Sequence, residues 1–271
     1  MKLRDRFRNI KNLLYKISNA LFFLIKYDLK KITYYDVGAM GGISLVLRIL
    51  QWKGMIDLYL FEPNKDEAIK LKKKYKDFNI IEKALGDKDE NRNLYITSNP
   101  GCSSLLKPDT NEISEYPIKK WFEVVKIKKV ETTKLDSILK LDKIAPPNIL
   151  KMDIQGFEFE VLNSFSDEIF KDLICIELEV QFKRLYTNQK LFDDIYKLLI
   201  EKGYILYELE SQGPYEGELL EANCFFAKKN VDLSNEKQDI LNFFLDLNGI
   251  KRTYLKTGNH KFLKSHLKRH Y

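Results

Sequence analysis

The stretch ITYYDVGAMGG, residues 32–42, decides the fold. Its first six residues are apolar, aromatic or β-branched up to a single carboxylate, which reads as a buried strand. Gly38, Gly41 and Gly42 then turn the chain, and residues 43–52 carry the apolar spacing of a helix. Strand, glycine turn and helix in that order open an α/β unit.

Outward from this unit the rhythm repeats. Residues 57–61 (DLYLF) read as a second strand, followed by a Lys-rich helix over 64–76 that starts at Asn64 or Asp66. Residues 79–84 form a third strand before Gly86-Asp87, and 93–97 a short strand or hairpin arm. A loop containing Pro100, Gly101, Pro108 and Pro117 leads to residues 123–130, whose alternation fits an edge strand. Further on lie a strand at 148–153, a helix at 156–165, a strand at 173–178 and a helix at 189–202 ending at Gly203. The last strands, 204–209 and 223–228, are joined by a Gly/Pro loop without a helix, so an antiparallel edge pair is expected. The alternation predicts a largely parallel sheet with helices on both faces.

This pattern occupies residues 32–229. Residues 4–30 read as a basic amphipathic helix, with Phe7, Ile10, Leu14, Ile17, Leu21 and Leu24 on one side. That stripe suits packing on the domain; the Lys/Arg on the other side also suit a peripheral helix on an anionic membrane. Residues 230–271 form a C-terminal extension with one helix, capped by Ser234 and lined by Ile240, Phe243, Phe244 and Leu247 before Gly249.

Charge is distributed to match. The net charge is +7, but residues 1–31 hold nine Lys/Arg against two Asp, and residues 251–271 seven Lys/Arg and no acid. Each end is therefore +7 and the part between them −7, which argues against a nucleic-acid channel through the domain. The apolar run at 20–25 is too short to span a bilayer, and no cleavage site of a secretory leader follows it. The cysteines Cys102, Cys175 and Cys224 fit neither a disulfide framework nor a zinc pattern, and a reducing, cytoplasmic setting is expected, with or without contact at the inner membrane surface.

Open parallel sheets bind ligands where strands end and strand order reverses. Here Asp36 closes the first strand, Gly38 and Gly42 let the backbone approach a ligand, and Asp36 is placed to accept loop N–H bonds. Glu62 closes the second strand 24 residues after Gly38, the position of a carboxylate that accepts from ribose hydroxyls. Asp87, after the third strand, is placed to accept from an adenine amino group. The loop is not G-x-G-x-x-G and cradles no pyrophosphate, so S-adenosylmethionine fits better than a dinucleotide.

At this point the residues resemble the FkbM family of S-adenosylmethionine-dependent methyltransferases. The matching segments include YYDVGAMGG (34–42), LFEPNKDEA (60–68), EKALGD (82–87), NPGCSSLL (99–106) and ILKMDIQGFEFEVL (149–162). The most specific is Lys-x-Asp-x-Gln-Gly-x-Glu, formed by Lys151, Asp153, Gln155, Gly156 and Glu158. The resemblance implies a Rossmann-like class I methyltransferase fold, with a mostly parallel seven-stranded sheet. It also implies a cofactor site at Asp36, Gly38, Ala39, Gly42, Glu62, Pro63, Ala84, Asp87, Ser103, Ser104 and Asp153. It further implies O-methylation of a sugar, glycan or related small-molecule acceptor. Met40 departs from the family, which usually has a polar residue there.

For chemistry, Asp153 sits at the end of one strand, and Glu177 and Glu179 share a face of the next if that strand continues. Three carboxylates so placed offer a general base, or a seat for Mg2+. The plainer alternative has Asp153 capping a helix and Glu177 paired with Lys151. Lys151 itself can steer an acceptor hydroxyl. The aromatic segment 116–122, with Trp121, fits a sugar ring or core packing equally. The histidines, His260, His266 and His270, all lie in the basic tail and offer the domain no base. Two other functions stay open: a nucleotide-sugar-modifying enzyme, disfavoured by the missing pyrophosphate loop, and an RNA-binding or RNA-modifying protein. Against the latter, the strand ends in Asp-Ile-Gln-Gly, not in a polar residue followed by Pro-Pro-aromatic.

Overall fold

The structure is a computed structural model, and it describes residues 14, 17–27, 31–212, 214–215, 217–229 and 233–250. Phe7, Ile10 and the three histidines lie outside the described residues.

Along the chain, helix α1 includes residues 14 and 17–26. Strand β1 (Ile32–Val37) leads to α2 (Leu45–Trp52), β2 (Ile56–Phe61), α3 (Lys65–Lys74), β3 (Asn79–Ile81), β4 (Ala84–Leu85) and β5 (Glu90–Thr97). After two 3-10 turns come β6 (Val124–Thr133), α4 (Leu135–Asp142), β7 (Ile149–Met152), α5 (Glu158–Asn163), α6 (Asp167–Asp172), β8 (Cys175–Gln181) and α7 (Phe192–Glu201). The chain finishes with β9 (Tyr204–Ser211), a hairpin of β10 (Pro214–Tyr215) and β11 (Glu218–Leu219), β12 (Glu221–Lys228) and α8 (Asn235–Leu247).

Seven strands form the main sheet in the order β3-β2-β1-β7-β8-β12-β9. All pair in parallel except β12, which runs antiparallel to both β8 and β9. The expected antiparallel pair is present, with β9 at the sheet edge. β1 is buried at all six positions, as a central parallel strand covered on both faces must be. Order reverses between β1, whose sequence neighbour β2 lies on one side, and β7 on the other.

One face packs Ile32, Tyr34, Leu58 and Ile149 against α2 and α3 (Leu47, Leu50, Leu71) and against Phe23 of α1 and Phe243 and Phe244 of α8. The other packs Tyr35, Leu150, Ile176 and Leu178 against α4, α5, α6 and α7, through Ile138, Val161, Phe170, Ile195 and Leu199. Each such buried side chain contributes about 1.5–3 kcal/mol. Segments on both sides of residues 32–229 thus share the core of the domain. The helix starts follow the capping signals: the side chains of Asn64 and Ser234 accept from Asp66 and Lys237 N–H groups.

Two expectations need correction. The run 79–84 is not one strand: β3 pairs with β2, but Ala84 and Leu85 cross to a second, three-stranded sheet ordered β4-β6-β5. The irregular pair Glu82-Lys83 makes that switch, and alternation in sequence does not reveal it. On α1, Leu14, Ile17 and Leu21 are exposed, while Ala20, Phe23 and Tyr27 turn inward. The rings of Phe23 and Tyr27 pack against Phe243, with centroids 5.4 and 5.7 Å away.

Candidate active site

At the switch point the turn after β1, the end of β2 and the turn after β7 surround an open cleft. Gly38 and Met40 line it from the first turn, Glu62, Pro63 and Asn64 from the second, and Asp153, Ile154 and Gln155 from the third. The small sheet supplies the opposite wall with Lys83, Ala84, Leu85 and Leu94, and the loop after β5 adds Pro100, Gly101, Ser103, Ser104 and Leu105. Of the expected cofactor residues, Gly38, Glu62, Pro63, Ala84, Ser103, Ser104 and Asp153 therefore meet in one cavity.

Asp36, Ala39, Gly42 and Asp87 do not line it. Asp36 does not order the loop: the N–H groups of Gly38 and Ala39 both donate to the Phe61 carbonyl, each at 3.1 Å. The Asp36 carboxylate is buried and takes the Lys151 ammonium at 3.3 Å. Ala39 is buried beneath the loop. Gly42 lies against the Tyr75 hydroxyl, which accepts from the Ile43 N–H at 3.2 Å. Asp87 is turned toward Arg92, 2.9 Å from its guanidinium, because β5 brings that cation past the turn.

Glu62 is buried, and its Oε1 accepts from the Asn64 N–H at 2.8 Å. Burial pushes its carboxyl up to about 7, against the opposing pull of that hydrogen bond. The site thus presents a carboxylate short of donors, which a ligand diol can supply.

Behind the cleft, register lays Asp36, Lys151 and Glu177 side by side across β1, β7 and β8. Burial opposes the charge on Lys151, yet Asp36, Glu177 and Asp153 together hold it well above the usual lysine range. Burial likewise lifts Glu177 to about 7, partly offset by Lys151. β8 does continue through Glu179, so Glu177 and Glu179 share a face.

The expected cation seat is not formed by Asp153, Glu177 and Glu179. Among the described residues no group of three His, Cys, Asp or Glu side chains is arranged to hold a metal ion. The Gln155 amide occupies the gap, its Nε2 donating to Asp153 Oδ1 at 2.8 Å and to Glu179 Oε1 at 2.6 Å. Glu177 faces the Lys151 ammonium instead. Burial and the Asp153 charge raise the Glu179 carboxyl well above its ordinary value, which favours its neutral form.

Gln155 is the residue that sequence reasoning missed as part of the site. Its φ is +58°, a conformation uncommon for a residue other than glycine, and such strain concentrates at functional sites. Ser104 Oγ donates to its carbonyl at 2.7 Å, and the Tyr186 hydroxyl donates to its Oε1 at 2.9 Å. Gln189, bonded to Gln181 at 2.7 Å, closes the network from behind. The Gln-Gly pair after a strand-ending Asp was the available signal. In the segment 116–122, Tyr116, Ile118 and Phe122 are buried and only Trp121 is exposed among its large apolar side chains, so packing accounts for most of it.

A seven-stranded sheet of this order, with its cleft at the switch point, is the Rossmann-like fold of class I methyltransferases. A family profile described as the methyltransferase FkbM domain matches residues 36–206, more than half of the chain. The chain belongs to the FkbM family of S-adenosylmethionine-dependent methyltransferases. No curated protein matches it in sequence. Among solved structures it is similar to magnesium protoporphyrin IX methyltransferase of Synechocystis PCC 6803 with bound SAM, at 11% identity and TM-score 0.37 over 84% of this chain and 85% of that one. It is also similar to a TehB-like SAM-dependent methyltransferase of Corynebacterium glutamicum, at 11% identity and TM-score 0.37 over 83% and 96%. A third, 1,6-didemethyltoxoflavin-N1-methyltransferase of Burkholderia thailandensis, matches at 10% identity and TM-score 0.37 over 84% and 87%.

Proposed function

We propose that this enzyme methylates a hydroxyl of a sugar, glycan or related small molecule, using S-adenosylmethionine held in the cleft between β1, β2 and β7. The observation that carries this reading is the buried Glu62 carboxylate facing the same cavity as Gly38 and Asp153. Glu62 would accept from the ribose hydroxyls, and Phe61, Leu85 and Leu94 offer apolar walls for the base. Bound there, S-adenosylmethionine supplies the electrophilic methyl group.

Asp153, held by Gln155 at the strand end, is the carboxylate that lines the cleft and the group placed to take the acceptor's proton. Lys151, paired with Asp36, stiffens the floor beneath it. No step in this reading uses a metal ion, since the Gln155 amide bridges the carboxylates that would hold one.

Calorimetry with S-adenosylmethionine and S-adenosylhomocysteine tests the cofactor assignment, and absence of heat with both would overturn it. A panel of sugars, glycans and small amines, followed by S-adenosylhomocysteine release, tests the acceptor. Turnover confined to amines would overturn the hydroxyl assignment.

A further inference from the structure

Helix α1 has two apolar sides. On the inner one Ala20, Phe23 and Tyr27 are buried, and Phe23 and Tyr27 pack on Phe243 of α8. The outer one carries Leu14, Ile17, Leu21, Phe22 and Ile25, which are 61, 37, 51, 49 and 86% exposed. Spacings of three, four and four from Leu14 to Ile25 align four of them in one stripe, with Phe22 beside it. A helix that only covers a core presents polar residues outward; a contiguous exposed apolar stripe marks an interaction surface.

Charge identifies what covers it. The stripe lies within residues 1–31, nine Lys/Arg against two Asp, and Ile250, buried in the same core as Phe23, leads directly into the seven Lys/Arg of residues 251–271. Both basic segments are therefore continuous in sequence with α1 and with the end of α8. A second copy would set these like charges against each other, and a neutral partner would leave them without a role.

We propose that α1 is a peripheral membrane-docking element: its outer stripe enters the boundary between headgroups and acyl chains of an anionic phospholipid bilayer, while the basic ends bind the headgroups. Lys26 is engaged with Asp246 of α8, which holds the helix on the domain with the stripe turned outward.

The test is flotation of the full chain with phosphatidylglycerol-containing vesicles and with pure phosphatidylcholine vesicles, at low and high salt. The wild type should float with the anionic vesicles alone and be released by salt. Leu21→Asp with Ile25→Asp should lower that partitioning by about tenfold or more, with melting temperature and S-adenosylhomocysteine affinity unchanged. Failure of the wild type to float, equal binding to neutral vesicles, or full binding by the variant would overturn the proposal. So would a wild-type dimer that the two substitutions dissociate, because a second copy would then cover the stripe. If the variant melts early, the wild-type comparison of anionic and neutral vesicles still decides.

Discussion

The main-chain carbonyl oxygen of Asp153 lies 1.9 Å from where a Cβ on Gly38 would stand. The first turn and the third are therefore in backbone contact, with Gly38 at φ +86°. Gly38→Ala meets both a disfavoured φ, costing about 1–3 kcal/mol, and an overlap with main chain that cannot rotate away. Gly41, at φ +82° with nothing near its Cβ position, meets only the first. Thermal melts should show Gly38→Ala more destabilised than Gly41→Ala, and it should lose S-adenosylhomocysteine binding in calorimetry. Equal losses would mean that the contact with Asp153 is unimportant.

Glu62 gives the cofactor site a pH dependence. Ribose hydroxyls donate to the ionised carboxylate, and burial holds that group protonated up to about 7. Affinity for S-adenosylhomocysteine should then rise as pH increases through about 7 and level off above it. Glu62→Gln should flatten this profile and weaken binding by about 10- to 100-fold above neutrality, the loss of a hydrogen bond to a charged group. A titration series in calorimetry, wild type against variant, measures both effects.

These two residues also mark what the sequence makes legible. Central parallel strands are continuous apolar runs, so β1, β2, β7 and β8 and the glycine turn stand out, and Glu62 follows from its spacing. What needs three dimensions is less visible. Asp36 ends a strand next to glycines, and only the register with β7 reveals that Lys151 takes its charge. Gln155 is held by Tyr186 and bonds to Glu179, 31 and 24 residues away in the sequence. Periodicity showed an apolar stripe on the first helix but not that the opposite side, built on Ala20 and Phe23, is the one that packs.

The Gln155 bridge separates the roles of its two carboxylates. Burial and the nearby Asp153 favour the neutral form of Glu179, which the amide of Glu179→Gln matches in shape. Turnover near neutrality should stay within a few-fold of wild type. Asp153→Asn removes the group placed to accept the proton and should lower turnover by about 10²–10⁴, with cofactor affinity little changed. Rates of S-adenosylhomocysteine release on an identified hydroxyl acceptor, with calorimetry beside them, check the pair. The reverse order of effects would transfer the base role to Glu179.

The same buried carboxylates set the direction in which pH acts on stability. Burial raises Glu62 and Glu177 to about 7 and Glu158 to about 8 from an ordinary 4.5, and raises Glu179 as well. Between about 4.5 and these values the folded chain binds more protons than the unfolded chain. Stability therefore falls as pH rises, by about 1.4 kcal/mol per pH unit for each proton held only by the folded state. Exposed Asp66, Asp89 and Asp167 are shifted down instead, and lose their contribution only below the ordinary aspartate range. Melting temperature should accordingly be highest near pH 5 and decline toward pH 9. Glu177→Gln should reduce that decline, because the amide needs no proton to remain neutral between Lys151 and the core. A melting temperature that climbs from pH 5 to pH 8 in scanning calorimetry would contradict the burial of these groups.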